Sequence, residues 1–306
     1  MGSSTSTSAG ETDSGSSAQP TGSEGGTVGE TGTASTSTGT SGASTPGSGD
    51  SGGSSGSGSV GEGTSTGAVD STGAVIVDAD GDGLDDGFEA EVAADYLPFL
   101  SLDPADKCPM GGMLYRVSPH PKHPEYLFIV YDHLYERDCG LGGHVGDDEV
   151  FGVTVDPGQP APAGILAIKA IGHQNTLCEK VTECGKCPNQ TPCPMVTVMG
   201  EKWPLVYSSK DKHASYVDIS KCVLLDICTD TCTLAAMSTA VTMLNAGEPG
   251  GHLTENLTTN GFITVENGWT EMTLFNYNPW EPGKDFGSAG SVAGDLVDMA
   301  FVPSCP

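Results

Sequence analysis

Apolar residues are distributed very unevenly along this chain. From Met1 to about Ser71 the sequence is nearly all Ser, Gly, Thr, Ala and acidic residues, with no run at helical or strand spacing. Beyond it, short segments rich in Val, Ile, Tyr, Phe and Thr alternate with Gly, Pro and Asp turns. They are EYLFIVYDHLY from Glu125, DEVFGVTVD from Asp148, AGILAIKAIGH from Ala163, MVTVMG from Met195, WPLVYSSK from Trp203 and GFITVENG from Gly261. Short β-rich runs at this spacing predict a sandwich. Phe88, Val92 and Tyr96 recur every four residues and predict a short helix that Pro98 stops. SKCVLLDIC from Ser220 and GDLVDMAF from Gly294 read as short helices or edge strands. The predicted class is therefore mainly β, a β-sandwich with peripheral short helices.

Composition divides the chain further. The first 71 residues contain no Lys, Arg, aromatic residue or Cys. Such a stretch buries too little apolar surface to offset the entropy of ordering it, so residues 1–72 are expected to be a disordered tether. Residues 73–95 form a junction and residues 96–306 one domain, long enough for a single well-packed core. The formal net charge is -28, and no basic residue precedes Lys107. Both halves are acidic, which excludes nucleic acid as a partner held through a basic patch and favours cations. No stretch approaches the length and apolarity of a transmembrane span.

All ten cysteines fall within the domain: Cys108, Cys139, Cys178, Cys184, Cys187, Cys193, Cys222, Cys228, Cys232 and Cys305. That number implies an oxidising compartment and disulfides. Cys178, Cys184, Cys187 and Cys193 could instead be four thiolates on zinc, although the outer spacings are wide for one. Met1-Gly2-Ser3-Ser4 has neither the basic start nor the apolar run of a secretory leader. The expectation is that a native leader was replaced, and that the native form is a secreted or cell-surface protein, a tethered lipoprotein.

At the junction, DADGDGLDDGFE matches the calcium-loop pattern D-x-D-x-D-G-x5-E. Asp78, Asp80, Asp82, Asp86 and Glu89 supply hard carboxylate oxygens, Leu84 a backbone carbonyl, and Gly83 the sharp turn. With one helix rather than two, the segment resembles an aspartate-rich calcium repeat of the thrombospondin type 3 kind. It is expected to take Ca2+ and stiffen the junction.

A second constellation lies in HVGDDE. In a strand, Asp147 and Glu149 share a face, and His144 precedes them in the glycine turn GLGGHVG. Two neighbouring carboxylates repel unless a positive charge lies between them, which a divalent cation supplies. Asp148 alternates outward as a surface acid. Nitrogen and oxygen donors together leave calcium, magnesium, manganese and zinc open, with Ca2+ or Mg2+ expected.

The spacing of His144, Asp147 and Glu149 after a Gly-rich turn resembles the GHRHDWE heptapeptide of necrosis- and ethylene-inducing peptide 1-like proteins. It is closer still to the H-V-G-D-W-E signature of the vacuolar protein sorting-associated protein 62 family. VYSSKDKHASY, Val206 to Tyr216, and YLPFLSLDP from Tyr96 resemble further segments of that family. The resemblance implies a β-sandwich with a divalent cation in a surface cavity. Carried over by position, the ligands are His144, Asp147, Glu149 and Glu136, eight residues before the His; Asp132 or Asp138 could compete with Glu136. His213 and Tyr216 would line the cavity with Asp132. Glu136 stands where the family has Asp, Asp148 where it has Trp, and one His where GHRHD has two.

His120 and His123, set between prolines, read as exposed loop residues, and His133 as a packed or capping histidine. Ser215 beside His213 lacks the G-x-S-x-G context of a nucleophile. Two functions follow. The first is a metal-containing surface module that binds a glycan or lipid headgroup, with a cytolytic role possible as in necrosis-inducing relatives. The second is a metal-dependent hydrolase with Glu149 or His213 as general base.

Overall fold

A computed structural model of the chain describes residues 76–306, apart from 109, 223–227, 235, 239–240, 252–255, 265–268, 271–274, 282–290 and 306. The tether expected over residues 1–72 lies outside the described residues. The predicted helix is present as α1, Asp86–Asp95. Asp85 caps it by accepting from the backbone N–H groups of Gly87 and Phe88, and Asp86 and Glu89 sit in its first turn. Both features stabilise a helix N-terminus.

Eleven strands follow among the described residues: β1 (Phe99–Leu102), β2 (Met110–Pro119), β3 (Leu127–Arg137), β4 (Val145–Val155), β5 (Ile165–Gly172), β6 (Lys180–Gly185), β7 (Met195–Val198), β8 (Glu201–Ser208), β9 (Ser215–Tyr216), β10 (Ala236–Ser238) and β11 (Met243–Asn245). One sheet runs β10-β1-β8-β7 with β9 beside β8; the other runs β11-β2-β3-β4-β5-β6. GDLVDMAF is helical, covering most of α2 (Val292–Val297) and a following 3-10 turn at Met299–Phe301. In GFITVENG, residues 261–263 form bends rather than a strand, 264 has no regular structure, and 265–268 lie outside the described residues.

The inner faces of the two sheets share one core. Leu100 and Val206 of the smaller sheet pack with Met113, Tyr131, Phe151, Val153 and Ile168 of the larger, and α1 adds Val92 and Ala93. Tyr131 donates to the Ala93 carbonyl at 2.8 Å, fastening α1 to β3. A second core covers the outer face of the larger sheet. There Leu114, Phe128, Val130, Leu134 and Val150 meet Leu257, Trp269, Phe275, Leu296 and Phe301 from the C-terminal third. With both faces covered, every residue of β3 except Arg137 is buried. That explains why LFIVYDHLY is a continuous apolar run rather than an alternating one.

The ten cysteines pair completely: Cys108–Cys139, Cys178–Cys228, Cys184–Cys193, Cys187–Cys305 and Cys222–Cys232. Cys184 and Cys187 leave for different partners, so the four-thiolate zinc alternative is excluded. No helix among the described residues is long and apolar enough to cross a membrane. Five disulfides fit a protein that matures in an oxidising compartment.

The doubly covered sheet makes one substitution diagnostic. A Cβ on Gly152 would stand 2.3 Å from the Phe301 carbonyl oxygen and 2.7 Å from the Phe128 ring. Backbone cannot yield as a flexible side chain does, so Gly152→Ala should cost about 1–3 kcal/mol, read as a lower urea midpoint at unchanged slope.

Candidate functional site: an acidic cavity at the open edge of a strand

Pairing between β4 and β5 begins only at Phe151 and Ala170. The outer edge of β4 from Val145 to Val150 is therefore uncovered by β5. A cavity of about 430 Å3 opens along it. Because the edge is open, side chains from both faces of β4 reach the same space: Asp147 and Glu149 from one, Asp148 and Val150 from the other. Asp138, His144 and Lys212 close one end; His173, Gln174, Asn175 and Thr176 follow β5; Ser291, Gly294, Asp295 and Phe301 come from the α2 region.

Strand register distributes the expected ligands. Tyr135 is opposite Asp147 and His133 opposite Glu149, while Leu134 is opposite Asp148. Glu136 therefore lies on the other face of the sheet from Asp147 and Glu149. Its carboxylate accepts hydrogen bonds from the Thr270 backbone N–H and, at 2.6 Å, from the Thr270 hydroxyl. The structure brings His144, Asp147 and Glu149 to the cavity and leaves Glu136, His213, Tyr216 and Asp132 outside its lining. Asp138, the alternative at that end, is the acid that lines it, and it accepts an ion pair from Lys212. His144 Nδ1 lies 2.7 Å from the Gly146 carbonyl, and its Nε2 lies 3.9 Å from Asp138.

His213 is fully buried beneath the cavity. Its Nδ1 is 2.6 Å from Asp147 and its Nε2 3.4 Å from Asp106. Its ring stacks on Tyr135, with centroids 3.7 Å apart and planes within 5°. Burial alone would drive the proton off this imidazole, but the hydrogen bonds and charges of Asp106 and Asp147 prevail and raise its pKa to about 9. One partner of Asp147 is thus a charged histidine. The Cys108–Cys139 disulfide brackets both ends of this arrangement, next to Asp106 and Asp138.

The other carboxyls have no such compensation. Burial, and then repulsion from Asp147, Asp230 and Asp138, pushes the Glu149 carboxyl well above the usual range. Asp148 is not a surface acid. The C-terminal third covers that face of β4, both carboxylate oxygens are shut off from solvent, and no N–H or hydroxyl group donates to either. Asp132 is completely buried on the same face, with both oxygens equally unpartnered.

The sequence reading passed over His173. Its Nε2 lies 2.8 Å from the buried Asp230, which also accepts from the Tyr216 hydroxyl at 2.7 Å. His173 and Asn175 both adopt left-handed backbone conformations, φ 55° and 61°. Strain of this kind in a cavity wall is the one local signal that could have marked the segment, and it is invisible in sequence. Other histidines are structural. His120 is buried, not exposed, and its Nδ1 accepts from the backbone N–H groups of Lys122 and His123. His133 is packed as expected, with burial lowering its pKa to about 3.

A separate acidic group occupies the junction. Asp78, Asp80 and Asp86 offer oxygens that all lie within 4.8 Å of one another, the only such set among the described residues. Asp78 also accepts from the backbone N–H groups of Gly81 and Gly83, closing the loop at 2.7 and 3.0 Å; Gly83 has the φ of 96° that favours glycine. Below them Glu89 is fully buried, with Oε1 unpartnered and Oε2 3.3 Å from the Asn245 amide. Burial first, and then Asp80 and Asp82, raise its pKa to about 8. Asp82 lies beside the trio, with one oxygen capping the Leu84 N–H. This donor set fits a hard divalent cation.

What these features define is a disulfide-bonded β-sandwich with an acidic, partly buried cavity and an aspartate-rich loop at its N-terminal edge. No family model matches the chain, and no curated protein matches it. Among solved structures, a partial likeness is found to one described as a toxin fold for microbial attack and plant defense. It has a TM-score of 0.19 and 16% identity over 37% of this chain, which spans 65% of that structure's length.

The histidine pairing gives a pH signature. The folded-state pKa of about 9 exceeds the unfolded value near 6.5. The stability that His213 contributes is full below about pH 6.5 and is lost as pH rises through about 9. In urea titrations, the deficit of His213→Gln relative to the parent should be largest at pH 6 and shrink steadily towards pH 9.5.

Proposed function

We propose that this protein is an exported, divalent-cation-dependent binding module whose cavity holds a polyhydroxylated ligand, a glycan rather than a lipid headgroup. The observation that carries the reading is the cavity along β4. It gathers Asp138, Asp147 and Glu149 with His144, and continues into Gln174, Asn175, Thr176 and Ser291. A cation between Asp147 and Glu149 would relieve the repulsion that raises the Glu149 carboxyl, with His144 Nε2 within the same end of the cavity. The amide and hydroxyl groups beyond suit vicinal hydroxyls. Apolar lining is confined to Val150, Ile171 and Phe301, which is little for an acyl chain.

A Ca2+ ion on Asp78, Asp80 and Asp86 would serve a different purpose. Its support is the buried, unpartnered Oε1 of Glu89 beneath the trio. The loop is joined to the sandwich through Glu89 and Asn245, so calcium there would fix the junction to the domain. Saturation at 100 times Kd should add about 2.7 kcal/mol to unfolding. Asp80→Asn should remove most of that gain in calorimetric melts with and without Ca2+, leaving the melt in chelator nearly unchanged.

One feature favours a second reading, a metal-dependent hydrolase. His173 is oriented by Asp230 as a general base would be. The two readings part on a direct measurement. Chelator-stripped protein is reloaded with Ca2+, Mg2+ or Mn2+, and metal equivalents are counted for the parent and for Glu149→Gln. The expected result is one equivalent fewer in the variant and loss of glycan-array signal, with no turnover of ester or phosphodiester substrates by the parent. Turnover abolished by His173→Ala would instead establish the hydrolase, and leakage from anionic or zwitterionic vesicles would point to the cytolytic role. If the parent retains no divalent ion beyond that of the Asp78–Glu89 loop, the cavity reading fails.

A further inference from the structure

Two acids are buried within the apolar layer that Leu114, Val130, Leu134 and Val150 form on the outer face of the larger sheet. Asp132 of β3 and Asp148 of β4 lie there as diagonal neighbours, since Asp132 is opposite Val150 and Leu134 opposite Asp148. Asp295 of α2 faces them from the covering layer. The Asp148 and Asp295 carboxyls are within hydrogen-bonding reach of each other, an approach that two ionised groups do not tolerate. The charged groups with the largest influence on these three are all carboxyls: one another, Asp147 and Asp298. Burial is the largest influence raising all three; repulsion within the cluster adds to it at Asp132 and Asp148, whereas at Asp295 the contact with Asp148 acts the other way.

Asp132 is what makes the cluster more than a group of acids. It sits at 0% exposure in the middle of a strand, with neither oxygen hydrogen-bonded. Burying a carboxylate without a partner is among the costliest arrangements a protein can hold. Nothing in packing requires an acid there, because Leu134 and Val150 beside it fill the same layer with hydrocarbon.

We propose that Asp132, Asp148 and Asp295 form a site for a hard divalent cation of the Ca2+, Mg2+ or Mn2+ class, on the opposite face of β4 from Asp147 and Glu149. Access runs through the cavity, which Asp148 and Asp295 line. Three carboxylates with no nitrogen or sulfur donor select such cations over zinc or copper. The three are drawn together less tightly than Asp78, Asp80 and Asp86, whose oxygens all lie within 4.8 Å. A cation held directly by Asp148 and Asp295 would therefore meet Asp132 through water, a mixture that hard cations accept. This site goes beyond the cavity reading and uses none of its ligands.

The test uses the full chain, stripped with chelator and titrated with Mn2+ by electron paramagnetic resonance and calorimetry. Asp295→Asn and Asp132→Asn should each weaken one class of Mn2+ site at least tenfold. Neither should lower the melting temperature in chelator, because each removes a like charge while keeping the shape. Glu149→Gln should leave this class intact, so a failure here is distinguishable from a failure of the cavity reading. If both Asn variants bind Mn2+ as the parent does and raise the melting temperature equally with and without metal, the cluster is held by shared protons. In that case the proposal is wrong.

Discussion

A carboxylate inside a sheet covered on both faces must be paired, protonated or bound to a cation, because bulk water does not solvate its charge there. The larger sheet of this protein imposes that constraint on an unusually acidic stretch of chain. The inner core closes one face and the C-terminal third closes the other. Between them β3 and β4 carry Asp132, Glu136, Asp147, Asp148 and Glu149. Each meets the constraint differently. Asp147 shares the charged His213, and Glu136 accepts from Thr270. Asp148, Glu149 and Asp132 have no cation among their strongest influences, and Asp148 and Glu149 line the open edge of β4.

The surrounding structure keeps that edge in place. Cys108–Cys139 ties the approach to β2 to the turn after β3, holding Asp106 and Asp138 near their partners. Beyond the edge, β5 ends at Gly172 and the chain turns through His173 and Asn175 in strained conformations, which line the cavity with polar groups. Charge and topology thus act together. The uncovered edge lets both faces of β4 share one space, and the acids of both faces line it.

Much of the fold was legible in sequence, and the reasons are local. Runs such as LFIVYDHLY and ILAIKAIG announced β3 and β5 because burial on both faces leaves a continuous apolar signature. Strands β2 and β6 were not read, because MGGMLYRVSP opens with glycines and KVTECG mixes charge with cysteine. The cavity was half legible. Alternation correctly put Asp147 and Glu149 together, but the same rule led Asp148 to be read as facing solvent. That error arose because a single strand does not reveal that a segment more than a hundred residues later covers its other face. Glu136 was assigned by position in a family motif, whereas the β3–β4 register places it across the sheet. His173, Asp230 and Asp295 carried no motif, since only tertiary contacts bring them to the site.

The central claim is that the acids of β4 are compensated by metal rather than by protons. The most direct measurement is anomalous scattering from crystals of the full chain grown with Mn2+. The account predicts peaks beside β4, within coordination distance of Glu149 or of Asp148 and Asp295, in addition to one at Asp78, Asp80 and Asp86. A map with density at the junction loop and none along β4, from crystals saturated with Mn2+ near neutral pH, would contradict it.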